Sequence, residues 1–114
     1  MSSYTDLEQI RRLQELLGSD ARDIVASMLR SLTGSIEQVE AAMKAGELDG
    51  AIRAAHAARN DAMTLGARQL LEALTDLEAA TRDWDARRAG AALERVQAVW
   101  PPTRDELAGA ANPP

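Results

Sequence analysis

His56 is the only histidine in the chain, with Arg53 three residues before it, Arg59 three after and Asn60 four after. On a helix these spacings place all four side chains on adjacent turns of one face. A neutral imidazole offers a ring nitrogen as a nucleophile. Phosphoryl transfer fits such a neighbourhood, because its loose transition state depends on positioning and charge stabilisation, and a guanidinium can hold the equatorial oxygens. Arg59 is the best-placed candidate for that task. A solvated helix face decorated with a histidine and arginines uses the same residues and has no chemistry, so local spacing alone leaves both readings open.

Other chemistries lack their residues. A zinc site takes three or four Cys, His or carboxylate ligands in a tuned arrangement, and di-iron bundles need paired Glu-x-x-His motifs that this sequence does not contain. Serines and aspartates are present, but no nucleophile-elbow glycine pattern accompanies them. The absence of cysteine removes disulfides and thiol catalysis and fits a reducing compartment. No signal-peptide layout opens the sequence and no apolar run reaches the length of a membrane span, so a cytoplasmic location is expected. A net charge of −5 opposes nucleic-acid binding and favours a protein or small-molecule partner.

The elements that must hold His56 are helical. Of 114 residues 46% are hydrophobic, Phe is absent, and the only aromatic residues are Tyr4, Trp84 and Trp100; strand formers are scarce and one core is expected. Leu7, Ile10, Leu13 and Leu17 define a first helix over about 6–17, stopped by Gly18. Ser19 or Asp20 can cap a long second helix carrying Val25, Met28, Leu29, Leu32, Ile36, Val39 and Met43 and ending near Gly46, with a kink possible at Gly34. Asp49 can cap a third helix, with Ile52, Ala55, Ala58 and Ala62 on one side, His56 mid-helix and Gly66 as the break. Leu70, Leu71, Leu74 and Leu77 form a fourth that fades near Arg82 and Asp83, before a turn around Trp84 and Asp85. Ala89, Leu93, Val96 and Trp100 form a fifth, which Pro101 and Pro102 should terminate. Thr103 and Glu106 suggest a capping box for a last short turn.

Short connections make helical neighbours antiparallel, so helices two to five should form an up-down four-helix bundle, with the first helix packed across an end. The expected domain is 6–108, followed by a disordered tail over 109–114. Val25, Met28, Leu32, Ile36, Leu70, Leu74, Leu77, Leu93 and Val96 are the expected core.

The run His56-Ala-Ala-Arg59-Asn60, followed by Leu65-Gly66-Ala67, Leu70 and Leu77-Glu78, resembles the signature of the histidine-containing phosphotransfer (HPt) family: His-x-Leu-Lys-Gly, then Leu-Gly-Ala and a later Leu-Glu. The spacing is kept without gaps, and the likeness runs over roughly 7–100. The resemblance implies an all-α bundle of HPt type that works as a phosphocarrier without catalytic machinery or cofactor of its own. It also implies His56 as the phosphoacceptor, and as partners a response-regulator receiver domain or hybrid histidine kinase. The receiver would supply Mg²⁺ and the aspartyl phosphate, and the HPt protein is expected to act as a monomer. Arg59 stands where the family has lysine, Asn60 where it has glycine, and Ala58 where it has a core leucine. Of these, Asn60 bears most on function, since glycine leaves room for a receiver to approach the imidazole. A degenerate HPt that docks without carrying phosphate, and a helical adaptor bundle outside any phosphorelay, are the alternative readings.

Overall fold

The structure, a computed structural model, describes residues 4–111. Five α-helices follow in order: α1 (Leu7–Leu17), α2 (Ala21–Ala45), α3 (Leu48–Leu65), α4 (Arg68–Arg82) and α5 (Ala86–Ala111), with a 3₁₀ turn over Gly18–Asp20 between the first two. The all-α up-down bundle expected from the hydrophobic pattern is the one observed. Paired side chains fix its order: Ser31 bonds Asp61 between α2 and α3, Arg59 bonds Glu78 between α3 and α4, and Arg95 bonds Glu72 between α4 and α5. Gln97 and Glu40 close the ring between α5 and α2.

Leu32, Val39, Leu70, Leu74 and Val96 are fully buried, and Met28 and Leu93 pack against this core from its edge. The α3 contribution is almost entirely alanine: Ala51, Ala54, Ala55, Ala58 and Ala62 are buried. Ile52 is only half-buried. Small side chains let α3 approach its neighbours closely, which leaves its outer face shallow and accessible.

Three turns reverse the chain with one hydrogen-bond pattern. Gly46 N–H donates to Met43 and Glu47 N–H to Ala42; Gly66 donates to Met63 and Ala67 to Ala62; Trp84 donates to Thr81 and Asp85 to Ala80. This arrangement satisfies the last carbonyls of a helix and needs a left-handed residue at its pivot. Gly46, Gly66 and Trp84 have φ of 72°, 74° and 59°. Gly66 has a second constraint: a Cβ there would lie 2.5 Å from the Asp6 carbonyl oxygen, because the start of α1 is pressed against this turn, with Asp6 N–H donating to the Gly66 carbonyl at 2.7 Å. Helix α1 therefore seals the bundle end at the α3–α4 turn, as expected of a helix packed across an end.

Four expectations are corrected. The prolines do not end α5, which continues through Pro101 and Pro102 to Ala111. A helical proline leaves the carbonyl four residues earlier without a donor; here those carbonyls belong to Gln97 and Ala98, both exposed and open to water. Trp100, Thr103 and Leu107 are buried on either side of the prolines and hold the helix to the core. The proposed capping box is also absent, because the Thr103 hydroxyl donates to the Val99 carbonyl at 2.6 Å while the Glu106 carboxylate accepts from the Thr5 hydroxyl and the Tyr4 N–H. Gly109–Ala111 belong to α5, with Ala111 buried against the core; the remainder of the expected tail, 112–114, lies outside the described residues. Finally, Asp20 and Asp49 do not cap. Asp20 makes no side-chain cap bond and Asp49 sits inside the first turn of α3, whereas Asp6 does cap α1 by accepting from Glu8 N–H.

Candidate functional site

Helices α3 and α4 build the site together. His56 stands on the outer face of α3 with 60% of its side chain exposed. Across from it, Glu78 occupies the core-facing stripe of α4, in step with Leu74, Leu77 and Thr81, and is only 8% exposed. A carboxylate so placed must be compensated. Arg59 Nη1 donates to Oε1 at 3.0 Å, and Arg82 donates to Oε2 through Nε at 3.2 Å and Nη2 at 3.1 Å. His56 Nδ1 lies 3.6 Å from the same Oε1 that Arg59 holds, an electrostatic contact slightly longer than a hydrogen bond.

Burial opposes ionisation of Glu78, but the hydrogen bonds and charges of Arg59 and Arg82 outweigh it and hold the carboxyl below its ordinary range. The site thus carries an ionised carboxylate fixed beside an imidazole. The described residues contain no group of three or more His, Cys, Asp or Glu side chains able to hold a metal ion.

Of the residues singled out from the sequence, His56 and Arg59 meet at Glu78. Asn60 lies one turn further along α3 and is exposed; its carbonyl accepts from the Thr64 hydroxyl. Arg53 takes no part, lining instead a shallow surface depression with Gln38 and Ala57. The neighbourhood is therefore not simply cationic, as spacing along α3 alone implied, since α4 brings a carboxylate into its centre. Sequence reasoning gave no role to Glu78 or Arg82. The available signal was a glutamate on a stripe otherwise made of Leu, Ala and Thr, with an arginine four residues later.

The Arg59 side chain is 27% exposed, uses Nη1 for Glu78, and keeps a buried Nε that has no partner among the described residues. Ala58, beside it, is completely buried, consistent with close packing where a larger residue would hold the helices apart.

No protein-family model matches the chain, and no curated protein matches it. Among solved structures it is similar to the crystal structure of histidine-containing phosphotransfer protein B (HptB) from Pseudomonas aeruginosa PAO1, with a TM-score of 0.86 and 20% identity over 94% of this chain and 93% of that one. At that identity the likeness establishes the fold, and this chain has the HPt fold.

Proposed function

We propose that the chain relays a phosphoryl group between receiver-domain aspartates of a two-component phosphorelay, carrying it on His56. The observation that supports this reading is an exposed imidazole whose Nδ1 faces a buried, ionised carboxylate. Glu78 favours a proton on Nδ1, which leaves the lone pair on Nε2, the nitrogen directed away from the carboxylate. Attack of Nε2 on an aspartyl phosphate forms the N–P bond as the aspartate O–P bond breaks and the carboxylate departs. The ring then carries the proton on Nδ1 and a positive charge, which Glu78 stabilises. The Nη donors of Arg59 not engaged with Glu78 would serve the phosphoryl oxygens. The acidic pocket and Mg²⁺ come from the receiver. None of the described helices is long and apolar enough to cross a membrane, and the working compartment proposed is the cytoplasm.

The test offers the purified protein a panel of phosphorylated receivers. Acid-labile label should reach the wild type and be lost in His56→Gln with helical content intact; label that persists in that variant, or a wild type that no receiver labels, overturns the assignment. Asn60 motivates a second reading, in which the chain docks on a kinase or receiver without accepting phosphate. Asn60→Gly distinguishes the two: faster transfer supports a relay whose asparagine narrows the approach, and restored labelling of an inert wild type supports docking alone.

A further inference from the structure

At the end of the bundle opposite α1, helices α2 and α5 flank an apolar groove of about 910 Å³, bridged at one end by the Gln97–Glu40 hydrogen bond. Its α5 wall is Ala86, Ala89, Gly90, Leu93 and Gln97, and its α2 wall Glu37, Glu40, Ala41 and Lys44 with Met43 beside them. The α5 set and the first four of the α2 set follow the three- and four-residue spacing of one helical face. From Ala86 to Gln97 the α5 wall is about 16 Å long, or three helical turns. It is smooth, since a Cβ added at Gly90 meets nothing within 4 Å.

Trp84 overhangs this groove and is 82% exposed. It holds the left-handed pivot that Gly46 and Gly66 hold in the other two turns, with the same pair of hydrogen bonds. Glycine is the unstrained residue there, so the chain accepts backbone strain at this turn while displaying a large aromatic to solvent. Folding gains nothing from that combination, whereas binding gains an anchor of the type that dominates interfaces.

We infer that this groove receives an amphipathic, cationic helix of a partner protein. Charge selects the sign: the lining carries the carboxylates of Glu37, Glu40 and Asp85 against the ammonium of Lys44, and although Arg88 lies 4.0 Å from Asp85, Glu37 and Glu40 leave the α2 wall net negative. Lysines or arginines flanking the apolar face of an incoming helix would meet these carboxylates and the face of Trp84. Two facing helical walls that carry small residues, Ala41 on α2 and Ala86, Ala89 and Gly90 on α5, match a helix laid lengthwise. The groove is lined by neither His56 nor Glu78, so the inference stands independently of phosphotransfer.

The test uses a fluorescein-labelled peptide of about three turns, with leucines on one face and lysines on the other, read by anisotropy against the full chain. Saturable binding is expected, weakened about tenfold or more by Gly90→Leu, whose Cβ enters open space and whose branched end fills the trough, and by Trp84→Gly, which removes the anchor while relieving the turn. A peptide of the same composition in scrambled order, and one with glutamates replacing the lysines, should bind at least about tenfold more weakly. Equal binding by the scrambled or acidic peptide, or by both variants, overturns the proposal. So does concentration-dependent dimerisation abolished by Gly90→Leu, which would make a second copy of the chain the occupant. Urea midpoints at or above wild type for Trp84→Gly exclude unfolding as the cause of lost binding.

Discussion

Replacing Glu78 with glutamine keeps the shape of the side chain and removes its charge, and the structure sets the cost. Glu78 accepts three hydrogen bonds from two guanidinium groups. Breaking one side of a fully buried ion pair costs about 3–5 kcal/mol. Here the cations are less buried, with 58% of the Arg82 side chain and 27% of Arg59 exposed, so water recovers part of the loss, and the glutamine oxygen still accepts one bond. About 1–2 kcal/mol at pH 7 is the expected destabilisation, or a fall in Tm of roughly 4–10 °C for a domain of this size. Linkage supplies the sharper test. The folded carboxyl is held below the ordinary glutamate range by Arg59 and Arg82, so its contribution is fully present above that range and is lost as pH falls through the lower folded value. Urea unfolding of wild type and Glu78→Gln, followed by circular dichroism, should therefore give stabilities that differ at pH 7 and draw together as pH falls below the ordinary carboxylate range. A difference that stays constant over this range would refute the ionised, doubly clamped carboxylate, and one that grows as pH falls would reverse its sign.

Other perturbations address the scaffold. Leu74→Ala should cost about 2–5 kcal/mol by urea denaturation, since Leu74 is fully buried; a loss within error would remove it from the core. Gly66→Ala should cost about 2 kcal/mol or more by the same measurement, combining a left-handed φ with a Cβ 2.5 Å from the Asp6 carbonyl oxygen, and should loosen α1 first in amide exchange. Exchange protection unchanged in α1 would contradict the close approach. Trp84→Gly should raise stability by about 0.5–1 kcal/mol, because the pivot is left-handed and the indole is exposed; a destabilised variant would mean that the indole packs in a way its exposure denies.

Helix periodicity located α1 to α4 because each buries one apolar stripe, and α1, α2 and α3 stop at a glycine of positive φ. The same reasoning failed at Pro101. A proline rule counts the lost hydrogen bond, whereas the outcome turns on where the freed carbonyl points and on what anchors the helix beyond. Gln97 and Ala98 face solvent, and Thr103, Leu107 and Ala111 fasten the continuation to the core and to α1. The failed capping box has the same origin: the partners that claim Glu106 are Thr5 and Tyr4, about a hundred positions away, a separation that no local motif records.

The site was legible in part for a related reason. Spacing along one helix finds neighbours on that helix, which brought Arg59 to His56, but the carboxylate 3.6 Å from the imidazole comes from α4. Glu78 belonged to the family-like Leu-Glu pair and was read as pattern. Its burial turns it into chemistry, because a carboxylate on a core stripe must recruit cations, and one of the two it recruits, Arg59, holds the same oxygen that faces the histidine. Arg59 then serves two ends, as a counter-ion for Glu78 and a candidate donor to a phosphoryl group. A lysine there, as in the family signature, would give a point charge, whereas the guanidinium can hold Glu78 through Nη1 and still present other donors. Arg59→Lys should therefore separate the two tasks, keeping most of the stability while changing the transfer rate. Arg59→Ala should lose both, because it also strips Glu78 of its less exposed partner.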